Sequence, residues 1–277
     1  MAELSVLMSI YIKEKPEYVE ECFQSLLNQT VQADEWVVVE DGSLTEEMYS
    51  LLNRYQETYP ELIKRVPLKE NQGLGMALQA GVPECRNELI ARMDTDDICR
   101  EDRFEKQLKK FSDNPSLDIC GSNIDEFEDT HDNIVAKRLV PTTHDQIVKY
   151  QKKRDAFNHM TVMYKKKAVL DAGNYQSCPL MEDSYLWARM ILNRVQCANI
   201  GESLVYARIG KDMFNRRGGL KYLKKYREGR KMILQTGFIN YYEYIISVLI
   251  QSVVALMPQQ IRGFIFKHIL HPQRKII

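Results

Sequence analysis

Residues 88–97 read Glu-Leu-Ile-Ala-Arg-Met-Asp-Thr-Asp-Asp. An apolar run of strand length, Glu88 to Met93, stops at four polar residues, Asp94-Thr95-Asp96-Asp97. Runs of this kind suit a strand covered on both faces. Two carboxylates one residue apart where a strand turns into a loop can approach one hard cation. Mg²⁺ and Mn²⁺ prefer oxygen ligands and often keep substrate phosphates in their shell. Asp94 and Asp96 are therefore candidate metal ligands. The competing reading is a polar turn in which Asp97 caps a following helix.

The pattern upstream explains where such a turn would sit. Leu4 to Ile10 and Glu35 to Glu40 are further apolar strands, and Ile63 to Leu68 reads as a third. Helical spacing separates them: Val19, Cys22, Phe23, Leu26 and Leu27 after Pro16, then Met48, Leu51, Leu52 and Tyr55, then Leu74, Ala77, Leu78 and Gly81. Strand–helix alternation over the first hundred residues implies an α/β, doubly wound, mostly parallel sheet. Ligands bind such sheets outside the carboxyl ends of the strands. Two more polar clusters follow strand ends, Glu40-Asp41-Gly42-Ser43 and Asn71-Gln72-Gly73, and they should converge on the acidic turn. Each has a plain reading as well. Gly42 and Ser43 suit a turn and a helix cap, and Asn71 to Gly75 suits a Gly-rich helix entry. The latter is no Walker loop, because no Gly-Lys-Ser/Thr follows.

Downstream, a helix around Phe104, Leu108 and Phe111 precedes a strand at Leu117 to Asn123. Residues 124–160 show no regular pattern. Glu182 to Asn193 reads as a helix opened by Glu182-Asp183, and Ser203 to Ile209 as a late strand. Acidic residues suit a helix N-terminus. A carboxylate there also suits proton abstraction from an incoming hydroxyl.

The 277 residues, 44% hydrophobic and 27% charged, exclude collagen-like and disordered classes. Lys+Arg and Asp+Glu are both 38, so net charge gives no reason to expect nucleic acid as a partner. Six scattered cysteines form no CxxC pair, which speaks against zinc. The opening MAELSVLMSIYIKEK has no basic segment and no small-residue cleavage site, so a signal peptide is not expected. Reduced thiols and a cytoplasmic setting follow as the expectation.

Taken in order, these segments resemble a family 2 glycosyltransferase with the GT-A fold, of the bacterial capsule, O-antigen and exopolysaccharide type. Leu4 to Tyr11 resembles the opening strand. Glu40-Asp41-Gly42-Ser43 resembles the usual Asp-Asp-Gly-Ser, and Asn71-Gln72-Gly73 resembles Asn-x-Gly. Asp94-Thr95-Asp96-Asp97 matches the DxD element, and Glu182-Asp183 the Glu-Asp pair. His159-Met160-Thr161 fits His-x-Thr, and Arg216-Arg217-Gly218 the basic end of the catalytic domain. One departure is plain: no His follows Tyr206-Ala207-Arg208, where the family often has Tyr-Arg-x-His.

The resemblance implies roles. Ser9, Tyr11, Glu40, Asp41, Asn71, Gly73, Asp94, Thr95 and Arg216 would hold the nucleotide sugar. Asp96, with Asp94, would bind Mn²⁺ or Mg²⁺. Asp183 would be the general base, with Glu182 and His159 on the acceptor or donor side. The implied reaction is transfer of a hexose, from a UDP-linked donor by preference, to a hydroxyl of a lipid-linked or oligosaccharide acceptor, with inversion. Two alternatives remain at this point. A sugar-nucleotide nucleotidyltransferase would also use a parallel sheet and Mg²⁺, although its Gly-rich basic N-terminal signature is missing. A non-catalytic membrane-associated scaffold would need neither the DxDD nor the Glu-Asp pair.

From Arg208 to Lys231 ten basic residues face two acidic ones. A catalytic domain over 1–215 and a basic, then apolar, helical extension over 216–277 are expected. Tyr241 to Met257 is strongly apolar but shorter than the roughly 20 residues of a spanning helix. A helix lying in the inner face of the plasma membrane, with Lys and Arg at the headgroups, is the expectation. A dimer interface and packing against the core are the alternatives.

Overall fold

The structure is a computed structural model that describes residues 2–210, 218–257 and 274–275. Its first half follows the alternation in the sequence. β1 (Ala2–Ile10), α1 (Pro16–Leu27), β2 (Ala33–Glu40), α2 (Glu46–Thr58), β3 (Ile63–Pro67), α3 (Leu74–Glu84) and β4 (Leu89–Arg92) come in that order. Pro16 starts α1 where its missing N–H costs nothing. Thr45, rather than Ser43, caps α2 by accepting from the Met48 N–H.

The second half holds short, polar or edge elements that carry little periodicity. They are β5 (Ile98–Cys99), α4 (Arg103–Asp113), β6 (Leu117–Phe127), β7 (Ile134–Arg138), α5 (His144–Gln151), a 3-10 turn at His159–Thr161, β8 (Met163–Lys165) and α6 (Lys166–Asp171). α7 (Glu182–Leu192), β9 (Gln196–Arg208), α8 (Gly219–Gln235), α9 (Tyr241–Leu256) and β10 (Arg274–Lys275) complete the described chain. Residues 124–160, patternless in sequence, thus contain β7 and α5. β7 is mostly half-buried, so its side chains never alternate cleanly. β9 starts seven residues before the expected Ser203, because exposed Gly201 and Glu202 interrupt its apolar run.

One sheet runs β10-β7-β6-β8-β4-β1-β2-β3, with β9 paired to β5 and β6. β4, β1, β2 and β3 are parallel neighbours. β8 is antiparallel to both β4 and β6 and joins the parallel half to the rest. Side-chain alternation splits the core. Val6, Met8 and Val38 pack under α1, α2 and α4 on one face. Leu7, Val37 and Val39 pack under α3, α5 and α7 on the other. Each fully buried Val or Leu contributes about 1.5–3 kcal/mol. Gly81 lets α3 lie close: a Cβ there would stand 2.5 Å from Leu7 Cδ1 and 2.7 Å from Val39 Cγ2. Because β1, β2, β3 and β4 run in one direction, the loops after them open at the same edge, and every candidate site residue from Tyr11 to Asp97 lies in or next to these loops.

Candidate active site

The turn after β4 is built by backbone bonds to its neighbours. Met93 N–H donates to Leu7 O at 3.1 Å, and Arg92 N–H to Val162 O at 2.8 Å. Thr95, buried, places its Oγ1 3.4 Å from Ser9 O at the end of β1. Asp94, Asp96 and Asp97 each present a carboxylate oxygen, all within 4.8 Å of one another. Asp97 leads into β5 rather than into a helix, so the helix-cap reading of this turn is set aside. Its Oδ1 accepts from the Arg208 N–H at 2.8 Å, while its buried Oδ2 has no partner among the described residues.

The crowding shows in the acidities. Burial, then Asp94, pushes the Asp96 carboxyl up to about 6. Burial, then Asp96 and Asp94, holds Asp97 well above the carboxylate range. Glu14, in the loop after β1, is pushed up to about 7 by burial and then by Asp96 and Asp94. An all-oxygen acidic cluster with an orphaned buried carboxylate oxygen is the chemistry that a hard divalent cation satisfies. The donor set fits Mg²⁺ or Mn²⁺.

The loops after β2 and β3 close on each other at the same edge. Both Asp41 oxygens are used: Oδ1 accepts from Gln72 N–H at 2.7 Å and Oδ2 from Gly73 N–H at 3.0 Å. Asn71 Nδ2 donates to Asp41 O at 3.2 Å. Asp41 therefore pins the entry to α3, where Gly73 takes a φ of +86° that favours glycine. Gly42 is fixed for a second reason, since a Cβ on it would meet Asn71 N at 2.6 Å. Glu40 is buried, and its Oε1 accepts from Arg65 Nε at 2.5 Å. Its charge is met inside the sheet by Arg65. Tyr11 is exposed just beyond β1, and Asn71 is exposed on its loop. Arg216 lies outside the described residues.

The base-side pair arrives from the other direction. Gly75 in α3 allows the start of α7 to approach, because a Cβ there would stand 2.9 Å from Glu182 Cβ. Asp183 Oδ1 accepts from Ser184 N–H at 2.7 Å. Burial, then Asp155 and Glu182, holds the Asp183 carboxyl well above its ordinary range. Glu182 is raised by burial, and it feels both Arg92 and Asp94. That mutual influence joins the two acidic halves of the site. His159 Nε2 lies 2.9 Å from Tyr175 Oη, with Trp187 beside its ring. Burial, then the positive Arg92, pushes its pKa well below normal, so the imidazole is neutral.

Three participants escaped the sequence reading. Arg92 is 1% exposed and pairs through Nη2 with Asp94 Oδ1, while its Nε and Nη1 have no partner among the described residues. Burial opposes its charge, yet Asp94 holds its pKa above the ordinary value. A cation inside an apolar strand was the available signal. Asp155, which accepts from Ser184 Oγ, and Glu14 sit in loops with no pattern to mark them.

Residues 5–170 match the model for glycosyl transferase family 2. The chain belongs to that family. Its fold is GT-A, and it is an enzyme of the glycosyltransferase class. This family 2 chain is 44% identical over 240 residues to an uncharacterized glycosyltransferase of Haemophilus influenzae, covering 84% of this chain and 88% of that one. It is 40% identical to the amylovoran biosynthesis glycosyltransferase AmsE of Erwinia amylovora, over 95% of this chain and 97% of that one. It is 35% identical to the UDP-Gal:alpha-D-GlcNAc-diphosphoundecaprenol beta-1,3-galactosyltransferase of Escherichia coli, over 97% and 96%. Among solved structures, the mannosyltransferase PcManGT from Pyrobaculum calidifontis, in complex with GDP-Man and Mn²⁺, matches with a TM-score of 0.63. That match has 14% identity and covers 84% of this chain and 64% of that one. S. aureus TarS 1-349 in complex with UDP-GlcNAc matches at 0.61 with 16% identity, over 96% and 71%. At these identities the two structures speak for the fold alone.

Proposed function

We propose that this family 2 enzyme transfers a hexose from a UDP-sugar to a hydroxyl of a lipid-linked acceptor, with inversion, during assembly of a cell-surface polysaccharide. The observation that carries the reading is the Asp94–Asp97 carboxylate cluster at the strand-end edge, with buried Arg92 paired to Asp94 and its charge felt by Glu182 and Asp183. The relatives named for galactosyl transfer and amylovoran synthesis, matched over nearly their whole length, support the substrate class.

The residues divide the work. Asp183, with its raised proton affinity, takes the acceptor hydroxyl proton as the hydroxyl oxygen attacks the anomeric carbon. The bond from that carbon to the diphosphate breaks on the opposite face, and UDP leaves with the electron pair. Asp94 and Asp96, with Asp97, would hold Mn²⁺ or Mg²⁺, which as a Lewis acid supplies charge stabilisation for the diphosphate. Ser9, Tyr11, Asn71, Gly73 and Thr95 line the strand-end edge where the nucleotide sugar would lie, and Asp41 shapes it. Arg216 is retained as a nucleotide-side proposal. His159, neutral and tied to Tyr175, suits a hydrogen-bonding part toward donor or acceptor rather than a proton-accepting one.

The helical extension supports a location. α8 packs on α7 through Ile233, and the connection to α9 through Phe238 and Ile239, in one cluster with Ala188. The division at residue 215 is thus proposed as one of sequence and role, with the helices docked on the catalytic part. α9 leaves Ile246, Leu249, Ile250, Val253 and Leu256 exposed, and α8 leaves Leu220 exposed beside Lys224, Arg227 and Lys231. No helix among the described residues is long and apolar enough to cross a membrane. Apolar side chains next to basic ones suit a peripheral position on an anionic inner leaflet.

The test is a panel of UDP-galactose, UDP-glucose, UDP-GlcNAc and dTDP-rhamnose, with Mn²⁺ and a GlcNAc-diphosphate-lipid acceptor. Release of UDP with a new glycosidic product is expected. Release of pyrophosphate instead would assign nucleotidyl transfer, and failure of UDP to bind with Mn²⁺ would return the scaffold reading.

A further inference from the structure

The backbone ladder does not by itself fix the acidic turn. β5 pairs with β9 only at Ile98↔Tyr206 and Cys99↔Val205. Asp97 and Asp96 lie one and two residues beyond this pairing, where Arg208, the last residue of β9, takes over. Its N–H donates to Asp97 Oδ1 at 2.8 Å, and its Nε to Asp96 O at 3.0 Å. The guanidinium lies between two rings, 4.0 Å from the Tyr18 centroid and 4.6 Å from that of Phe127. Nη1 reaches Asp129 O at 3.3 Å, and Nη2 pairs with Glu21. The side chain is only 9% exposed.

Together the contacts tie the turn to separate parts of the fold. Tyr18 and Glu21 belong to α1, which leads back to the loop after β1 and to Glu14. Phe127 closes β6. A planar fork held between two rings loses little freedom when it bonds, and a lysine ammonium cannot both stack and donate along the same line. We propose that Arg208 is a positioning residue that holds the Asp94–Asp97 turn in the form that accepts a divalent cation, coupling that form to α1 and the loop after β1. The inference rests on the metal reading above and adds to it the residue that pre-organises the ligands.

The test uses the full chain and the variants Arg208→Lys, Arg208→Met and Tyr18→Leu. Tyr18→Leu loosens the stack without removing Arg208 and serves if the direct variants fold poorly. Mn²⁺ affinity is read by calorimetry in the presence of UDP, alongside melting temperature and UDP binding without metal. We expect Arg208→Met and Arg208→Lys to weaken Mn²⁺ at least tenfold and Tyr18→Leu to weaken it by a smaller factor, with metal-free UDP affinity within twofold of wild type. Glu21→Gln, which removes only the outer ion pair, should stay within twofold in Mn²⁺ affinity. Wild-type Mn²⁺ affinity in the Arg208 and Tyr18 variants, with or without a lower melting temperature, would overturn the inference and leave the metal reading standing. A wild-type chain whose UDP binding ignores Mn²⁺ would overturn both.

Discussion

Replacing Asp183 with Asn should slow the enzyme and stabilise the fold, in a pH window set by one proton. Burial, Asp155 and Glu182 together make the folded protein hold the Asp183 proton more tightly than the unfolded chain does. Below about pH 4 the group is protonated in both states and costs nothing. As pH rises above that value, the unfolded chain ionises first, so wild-type stability falls until the folded carboxyl ionises too. Each pH unit inside the window costs at most about 1.4 kcal/mol. Partial solvent access at the α7 terminus reduces that figure by screening. Asn is neutral throughout, and its Oδ1 can keep the bond from the Ser184 N–H. The Asp183→Asn variant should therefore match wild type near pH 4 and melt progressively higher as pH rises. The scale is about 2–4 °C per kcal/mol for a chain of this size. Turnover should fall by about 10²–10⁴ for loss of a general base, or roughly 2.7–5.5 kcal/mol of barrier. Scanning fluorimetry from pH 4 to 8.5 and a UDP-release assay measure the two effects. Turnover within tenfold of wild type would remove Asp183 from the chemistry. A stability gap that is flat, or that closes as pH rises, would refute the assignment of its proton affinity.

Arg92→Met leaves Asp94 without its counter-ion and removes the positive charge that pulls down the carboxyl pKa values of Asp96, Glu182 and Asp183. The acid limb of the turnover profile should move to higher pH, and urea unfolding should show a loss of about 1–3 kcal/mol, because Asp94 keeps some water. An unshifted limb in a folded variant would confine Arg92 to a structural part. Leu249→Asp with Val253→Asp should reduce pelleting with anionic vesicles at least tenfold while turnover on a water-soluble acceptor is kept. Both side chains are more than half exposed, so the fold has little stake in them. Pelleting at the wild-type level would remove α9 from the membrane contact.

The alternation of β1 to β4 with α1 to α3 was legible because each strand is a continuous apolar run and each helix has its own stripe. The Asp94–Asp97 turn and the Glu182-Asp183 pair were legible because polar clusters stop those runs abruptly. Residues 124–160 were not, nor was β8 just after them, since a three-residue strand such as β8 and a half-buried strand such as β7 bury too few side chains to leave a period. Arg208 ends β9 as an ordinary basic residue in sequence, and nothing local marks it as the side chain that spans α1, β6 and the acidic turn.

Local order in the chain thus determined the parallel half of the sheet and the edge where its loops open, because hydrophobic periodicity is a property of neighbouring residues. Tertiary structure decided which acids share one field. Asp94 and Glu182 are 88 positions apart in sequence, and Glu182 feels Asp94 only in the folded chain, where Gly75 lets the start of α7 lie close to α3. Tertiary structure also decided that Glu40 serves Arg65 and Asp41 serves the α3 entry, since a carboxylate's role follows from the donors that surround it once the chain has closed.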